Sequence, residues 1–171
     1  MREQAGVTVA MTEAAQQFVR PLTFSTLSGR RVHTDLFERE QVYDVEHIAL
    51  THRADLIVVA PATANILAKC ATGICDNLLS TLLCSAESDI LWAPAMNQRM
   101  WEHPATQENL QKLQQRGCHF VGPATGRLAC GDEGVGRMAE PDEILQRIVK
   151  LLENKTPKVN SEGVNCQPDR V

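Results

Sequence analysis

Asp55-Leu56-Ile57-Val58-Val59-Ala60-Pro61-Ala62-Thr63-Ala64-Asn65 and Asp89-Ile90-Leu91-Trp92-Ala93-Pro94-Ala95-Met96-Asn97 follow one plan. In each, an apolar run of strand character ends in Pro-Ala, and an Asn follows within three residues, where a helix is expected to start. Ligands of open α/β sheets sit outside the carboxyl ends of the strands, where helix N-termini also present their backbone amides. Asn65 and Asn97 are therefore expected to face one crevice, which is the predicted active site.

On either side of this pair, strand-like and helix-like stretches alternate. Residues 6–11 alternate in polarity and are β-rich, and Thr12-Glu13-Ala14-Ala15 offers an N-cap with an acidic first turn. Residues 21–28 read as a short helix and residues 29–44 as a polar connection. The strand at 55–60 leads into a helix over 63–71, Asp76-Asn77 caps a second over 78–85, and the strand at 89–94 follows. Helical periodicity through Leu110 and Leu113 covers residues 104–116, Gly117 closes it, and residues 118–121 form a last short strand. Pro141 opens a helix over 142–152. This order predicts an α/β fold whose parallel sheet carries helices on both faces, joined by right-handed crossovers. Residues 154–171 offer little to bury and are expected to be a disordered polar tail, leaving residues 1–153 as the domain.

Composition narrows the chemistry. A chain of 171 residues suits one core. A formal charge of -4 without a basic block argues against a nucleic-acid partner, because phosphate binding needs clustered Lys and Arg. No apolar run approaches the roughly 18 residues of a membrane helix, so no membrane partner is expected. Six cysteines without a CxxC pair or zinc-type spacing predict no metal, a reducing cytoplasmic location and free thiols. Cys70, Cys75, Cys84 and Cys118 stand in apolar surroundings and read as small buried hydrophobes.

A third segment differs. Gly126-Arg127-Leu128-Ala129-Cys130-Gly131-Asp132-Glu133-Gly134-Val135-Gly136-Arg137-Met138 sets four Gly around a Cys with too little apolar periodicity for helix or strand. It reads as a mobile flap able to carry Cys130 over a ligand, with Gly131 and Gly134 letting it close.

Pro61-Ala62-Thr63-Ala64-Asn65, Pro94-Ala95-Met96-Asn97-Gln98-Arg99-Met100-Trp101 and Ala129-Cys130-Gly131-Asp132, in that order, resemble the flavin-dependent cysteine decarboxylases, over roughly residues 5–150. His47, in Glu46-His47-Ile48-Ala49-Leu50, matches that family's catalytic histidine. The resemblance implies a Rossmann-like, flavodoxin-like three-layer fold. Members begin with a strand and a Gly-Gly or Gly-Ser phosphate loop. Met1-Arg2-Glu3-Gln4-Ala5-Gly6 matches only the end of the helix that follows, so the first strand is expected to be missing here.

The resemblance also implies a reaction. Carbon dioxide leaving a cysteine carboxylate needs an electron sink, which FMN supplies by oxidising and later re-reducing the substrate. His47 would be the general base, its unperturbed pKa of ~6.5 lying near neutrality. Asn97 would hold the substrate carboxylate, with Ala95, Met96, Ala129 and Gly131 around the substrate. Cys130 would donate a proton during the reductive step. Thr12, Ala62, Thr63 and Asn65 would lie against FMN. By default, however, a lone His is a surface residue and an Asn near a helix start is a cap.

The implied substrate is 4'-phosphopantothenoylcysteine, converted to 4'-phosphopantetheine in coenzyme A synthesis. The alternatives are oxidative decarboxylation of a peptide's C-terminal cysteine, a non-catalytic regulatory or assembly subunit, and a fragment of a bifunctional protein. Relatives are trimers or dodecamers, and a separate or fused phosphopantothenate-cysteine ligase would be the partner enzyme.

Overall fold

Successive side chains of an extended strand point to opposite faces, and the central strand of this protein buries both. The computed structural model describes residues 5–36, 46–127, 131 and 133–154, with backbone alone at 46–49. The first half runs β1 (Val9–Ala10), α1 (Glu13–Gln16), α2 (Pro21–Ser28), β2 (Val32–His33), α3 (Glu46–Arg53), β3 (Leu56–Ala62), α4 (Ala64–Thr72) and α5 (Leu78–Cys84). The second runs β4 (Asp89–Pro94), α6 (Gln98–Trp101), α7 (Pro104–Gln115), β5 (His119–Phe120), β6 (Ala124–Arg127), β7 (Glu133–Arg137) and α8 (Pro141–Glu153).

Among the described residues β3, β4 and β5 form one parallel sheet in that order, and β1 pairs in parallel with β2. The second pair is continued by Met11 N–H, which donates to the His33 carbonyl at 2.9 Å. From β4, Trp92 packs on one face with Val59, Ile66, Leu67, Cys70, Leu83 and Leu113, beneath α4, α5 and α7. Leu91 and Ala93 pack on the other face with Ala139, Ile144 and Leu151, beneath α8. Trp92 also stacks on Phe120, with ring centroids 6.3 Å apart. The expected α/β architecture, parallel strands with helices on both faces, is therefore the observed one.

Local chemistry sets the helix ends. Asn77 and Ser80 form a reciprocal capping box at the start of α5. Pro occupies the first turn of α2, α7 and α8, where its missing N–H goes unneeded. Two expectations are corrected. The polar connection at 29–44 contains β2, a strand too short for its own periodicity and made by pairing with β1. The Gly-rich segment at 126–138 holds the end of β6 and all of β7, which pair with each other. The stretch around His47, to which the sequence assigned no element, is a helix, α3, which packs against α5. Of the expected tail at 154–171, Asn154 caps α8 and the rest lies outside the described residues, as do residues 37–45.

Leu67 is fully buried at the centre of the larger core cluster. Leu67→Ala is predicted to lower unfolding free energy by about 2–5 kcal/mol, against about 0.5–2 kcal/mol for removing the cap in Asn77→Ala. Both are measured by urea denaturation. A Leu67→Ala loss no larger than that of Asn77→Ala would contradict this core.

Candidate active site

Parallel pairing sets the geometry. β3 and β4 run in register from Leu56 opposite Asp89 to Val59 opposite Trp92, then shift so that Ala62 lies opposite Pro94. The two Pro-Ala ends are thereby side by side, and Ala95 N–H donates to the Ala62 carbonyl at 3.0 Å. Each end turns at once into a helix. Thr63 caps α4, its hydroxyl accepting from Ile66 N–H at 3.5 Å. Asn97 caps α6, its Oδ1 accepting from Arg99 N–H at 2.9 Å.

Asn65 is therefore not the cap of α4. It stands in the first turn, because Thr63 has the extended backbone that a capping residue requires. Thr63, Asn65 and Asn97 are exposed, Ala95 and Met96 are half-buried, and Ala62 is fully buried beneath them. Thr12 caps α1 at the matching end of β1, with its hydroxyl accepting from Ala15 N–H at 3.1 Å. His47 lies on α3, and its side chain falls outside the described residues.

The third motif takes a form the sequence did not suggest. β6 and β7 pair antiparallel, with Thr125 opposite Val135 and Arg127 opposite Glu133. Ala129 and Cys130 lie outside the described residues. Gly131 is exposed and holds a φ of +94°, a turn conformation that favours glycine. β7 is docked rather than loose, since Met96 N–H donates to the Gly136 carbonyl at 2.9 Å.

A Cβ on Gly136, whose φ is +149°, would overlap the Met96 carbonyl oxygen. One on Gly134 would overlap Oε1 of Gln98, whose Nε2 donates to Glu102 at 2.7 Å. These glycines permit close approach to the segment that carries Asn97, where mobility of the flap was expected. Gln98, Gly134 and Gly136 thus join the site as supports. Their only signal in the sequence was the spacing of glycines in Gly134-Val135-Gly136.

The exposed side chains at the two strand ends, Thr63, Asn65 and Asn97, are neutral amides and a hydroxyl above small alanines. Such a wall can donate and accept hydrogen bonds along the polar edge of a flat heteroaromatic ring, while Ala62 and Ala95 leave room for the ring. The residues present therefore fit a flavin. No group of His, Cys, Asp and Glu among the described residues is placed to hold a metal ion.

A family model for flavoproteins, Flavoprotein, matches residues 1–153. The chain belongs to the Flavoprotein family. Its relatives within and around the family include the coenzyme A biosynthesis bifunctional protein CoaBC of Bacillus subtilis, 45% identical over 152 residues that make up 89% of this chain and 37% of that protein. The corresponding protein of Mycobacterium bovis is 48% identical over 147 residues, 86% of this chain and 35% of that one. The chain thus spans less than half the length of these curated relatives.

Among solved structures, a mutant PPC decarboxylase complexed with pantothenoylaminoethenethiol superposes with a TM-score of 0.77 at 34% identity, covering 88% of this chain and 85% of that one. The FMN binding protein AtHal3 gives 0.76 at 33% identity, covering 90% and 85%.

Docking of β7 generates a graded prediction for this Flavoprotein chain. Gly136→Ala meets fixed backbone at Met96, whereas Gly134→Ala meets the end of a side chain that can rotate. Gly136→Ala should raise hydrogen exchange across residues 133–137 and at Met96 by an order of magnitude or more, and Gly134→Ala should raise it far less. Equal exchange in the two variants would refute the docking.

Proposed function

We propose that this chain catalyses FMN-dependent decarboxylation of 4'-phosphopantothenoylcysteine to 4'-phosphopantetheine, a step of coenzyme A synthesis. The observation that carries the reading is the pairing of Ala62 with Pro94, which ends both strands at one level just ahead of Thr63 and Asn65 on one side and Asn97 on the other, with β7 hydrogen-bonded to Met96. Family membership and the likeness to a PPC decarboxylase support it.

Thr12, Ala62, Thr63 and Asn65 are the residues proposed to hold FMN, which when bound supplies a reversible two-electron acceptor. Asn97, which holds the Arg99 amide through its Oδ1, is the residue proposed to orient the substrate carboxylate. An amide orients that group without the full positive charge that would oppose its loss as neutral carbon dioxide. Ala95 and Met96 wall the substrate, and Ala129 and Gly131 are the further residues proposed, from the sequence motif, to contact it. His47 takes the proton from the substrate thiol, and Cys130 returns a proton in the reductive step. The last two roles rest on the sequence motifs, because the Cys130 and His47 side chains lie outside the described residues.

We further propose that the chain acts as a homotrimer or a larger assembly of trimers. Phe18 is 91% exposed, and Leu22 and Leu27 on α2 are 73% and 78% exposed, an apolar surface of the kind subunit interfaces cover. A phosphopantothenate-cysteine ligase, fused or separate, is the proposed partner, since the relatives are bifunctional proteins.

The test is turnover of 4'-phosphopantothenoylcysteine by the FMN-loaded protein, followed as 4'-phosphopantetheine by mass spectrometry. Asn97→Ala and His47→Asn should each lower kcat by about 100-fold or more, the scale of one lost acid–base or positioning group. Cys130→Ser should release carbon dioxide while an oxidised enethiol accumulates. Wild-type rates in Asn97→Ala would overturn the assignment of the site. Light scattering that reports a monomer would refute the assembly.

A further inference from the structure

Asn97 is exposed, so its own side chain buries little that could fix its place. Its two neighbours in the chain are held instead, and both are held by β7. Met96 N–H donates to the Gly136 carbonyl at 2.9 Å, and the side chain of Gln98 lies against the bare Cα of Gly134. Residues two apart on a strand share a face. Gly134 and Gly136 thus turn one face of β7 toward residues 96 and 98, on either side of Asn97.

The two glycines answer different demands. Gly136 has a φ of +149° and meets the fixed backbone of Met96. Gly134 lies outside the left-handed region, so its backbone suits any L residue. The space its Cβ would need is taken by Cδ and Oε1 of Gln98, whereas the Gln98 Cβ stands 3.6 Å away, an ordinary contact. The Gln98 carboxamide is the obstacle that calls for glycine at 134.

That carboxamide is itself held in place. Its Nε2 donates to Glu102 Oε1 at 2.7 Å, one turn further along α6, and the Glu102 N–H donates to the Gln98 carbonyl at 2.8 Å. Gln98 is half-buried between exposed Asn97 and Arg99.

We infer that Gln98 is a positioning residue for Asn97, a role that rests on the decarboxylase reading of the site. A segment joined to β7 by the Met96 hydrogen bond alone could pivot about it. A second contact at Gln98, on the other side of Asn97, removes the pivot and sets the level at which Asn97 meets the substrate carboxylate. Thr12, Thr63 and Asn65, proposed to hold FMN, stand on other elements, so the effect falls on turnover and not on the flavin.

The test compares wild type, Gln98→Ala, Gly134→Ala and the double variant as FMN-loaded full chains. The readouts are kcat and KM for 4'-phosphopantothenoylcysteine, Kd for FMN by flavin fluorescence, and hydrogen exchange at residues 95–99. Gln98→Ala should lower kcat by about tenfold, the scale of a small misplacement of a positioned group, and raise exchange at 96–99, with Kd for FMN unchanged. Gly134→Ala should lower kcat several-fold by pushing the carboxamide off its seat, yet add little in the Gln98→Ala background, where that obstacle is gone. Gln98→Glu combined with Glu102→Gln keeps both the seat and the hydrogen bond, and should restore most of the lost kcat.

Wild-type kcat in Gln98→Ala, or effects of the two single substitutions that multiply without coupling, would overturn the inference and leave the decarboxylase reading standing. So would a loss of FMN binding in Gln98→Ala that matches its loss of kcat, since that marks a general loosening of the fold. An FMN-loaded wild type that does not turn over the substrate would overturn the decarboxylase reading, and the role given to Gln98 with it.

Discussion

The parallel register of β3 and β4 is the constraint on which the rest depends. Because Ala62 is set opposite Pro94 and Ala95 donates to Ala62, both strands end at the same level. Everything proposed to touch a ligand at that level follows from this pairing. Slipping one strand by a single residue would turn Trp92 out of its cluster with Leu67 and Leu113 and send Leu91 in its place. The cores on the two faces therefore hold the site in register. Stability and site geometry are one property here.

Docking of the hairpin extends the same constraint. Its contact with the Asn97 segment is a backbone hydrogen bond at glycine, where no side chain can intervene. The described strands of the pair, β6 and β7, thereby keep their position relative to Asn97. The neutral character of Thr63, Asn65 and Asn97 suits the proposed reaction, in which a carboxylate must be oriented and then lost as an uncharged gas.

What could be read in the sequence was what repeats locally. The two strand-to-helix motifs have apolar runs bounded by Pro and Asn, and β4 was legible to its last residue because its pattern spans six residues. α8 was equally clear from Pro141 and its apolar spacing. β2, at two residues, carries no period and exists only through β1. The hairpin was missed because its strands are stabilised by pairing and by contact with Met96, and glycine-rich sequence looks the same in a loop. The exposure of Cys75 and Cys84, expected to be buried, was likewise hidden, since apolar neighbours in sequence need not be neighbours in space. Asn97 was placed correctly as a cap because capping chemistry is local, but Thr63, read as the first helical residue, proved to be the cap of α4, and Asn65 proved to lie inside the first turn.

Hydrogen exchange of the purified chain with and without FMN tests the central claim most directly. If the crevice at the ends of β3 and β4 is the ligand site, FMN will slow exchange at residues 63–66 and 95–99 while leaving the Cys75–Cys84 region unchanged. Protection confined to other parts of the chain, or none at saturating FMN, would contradict the account.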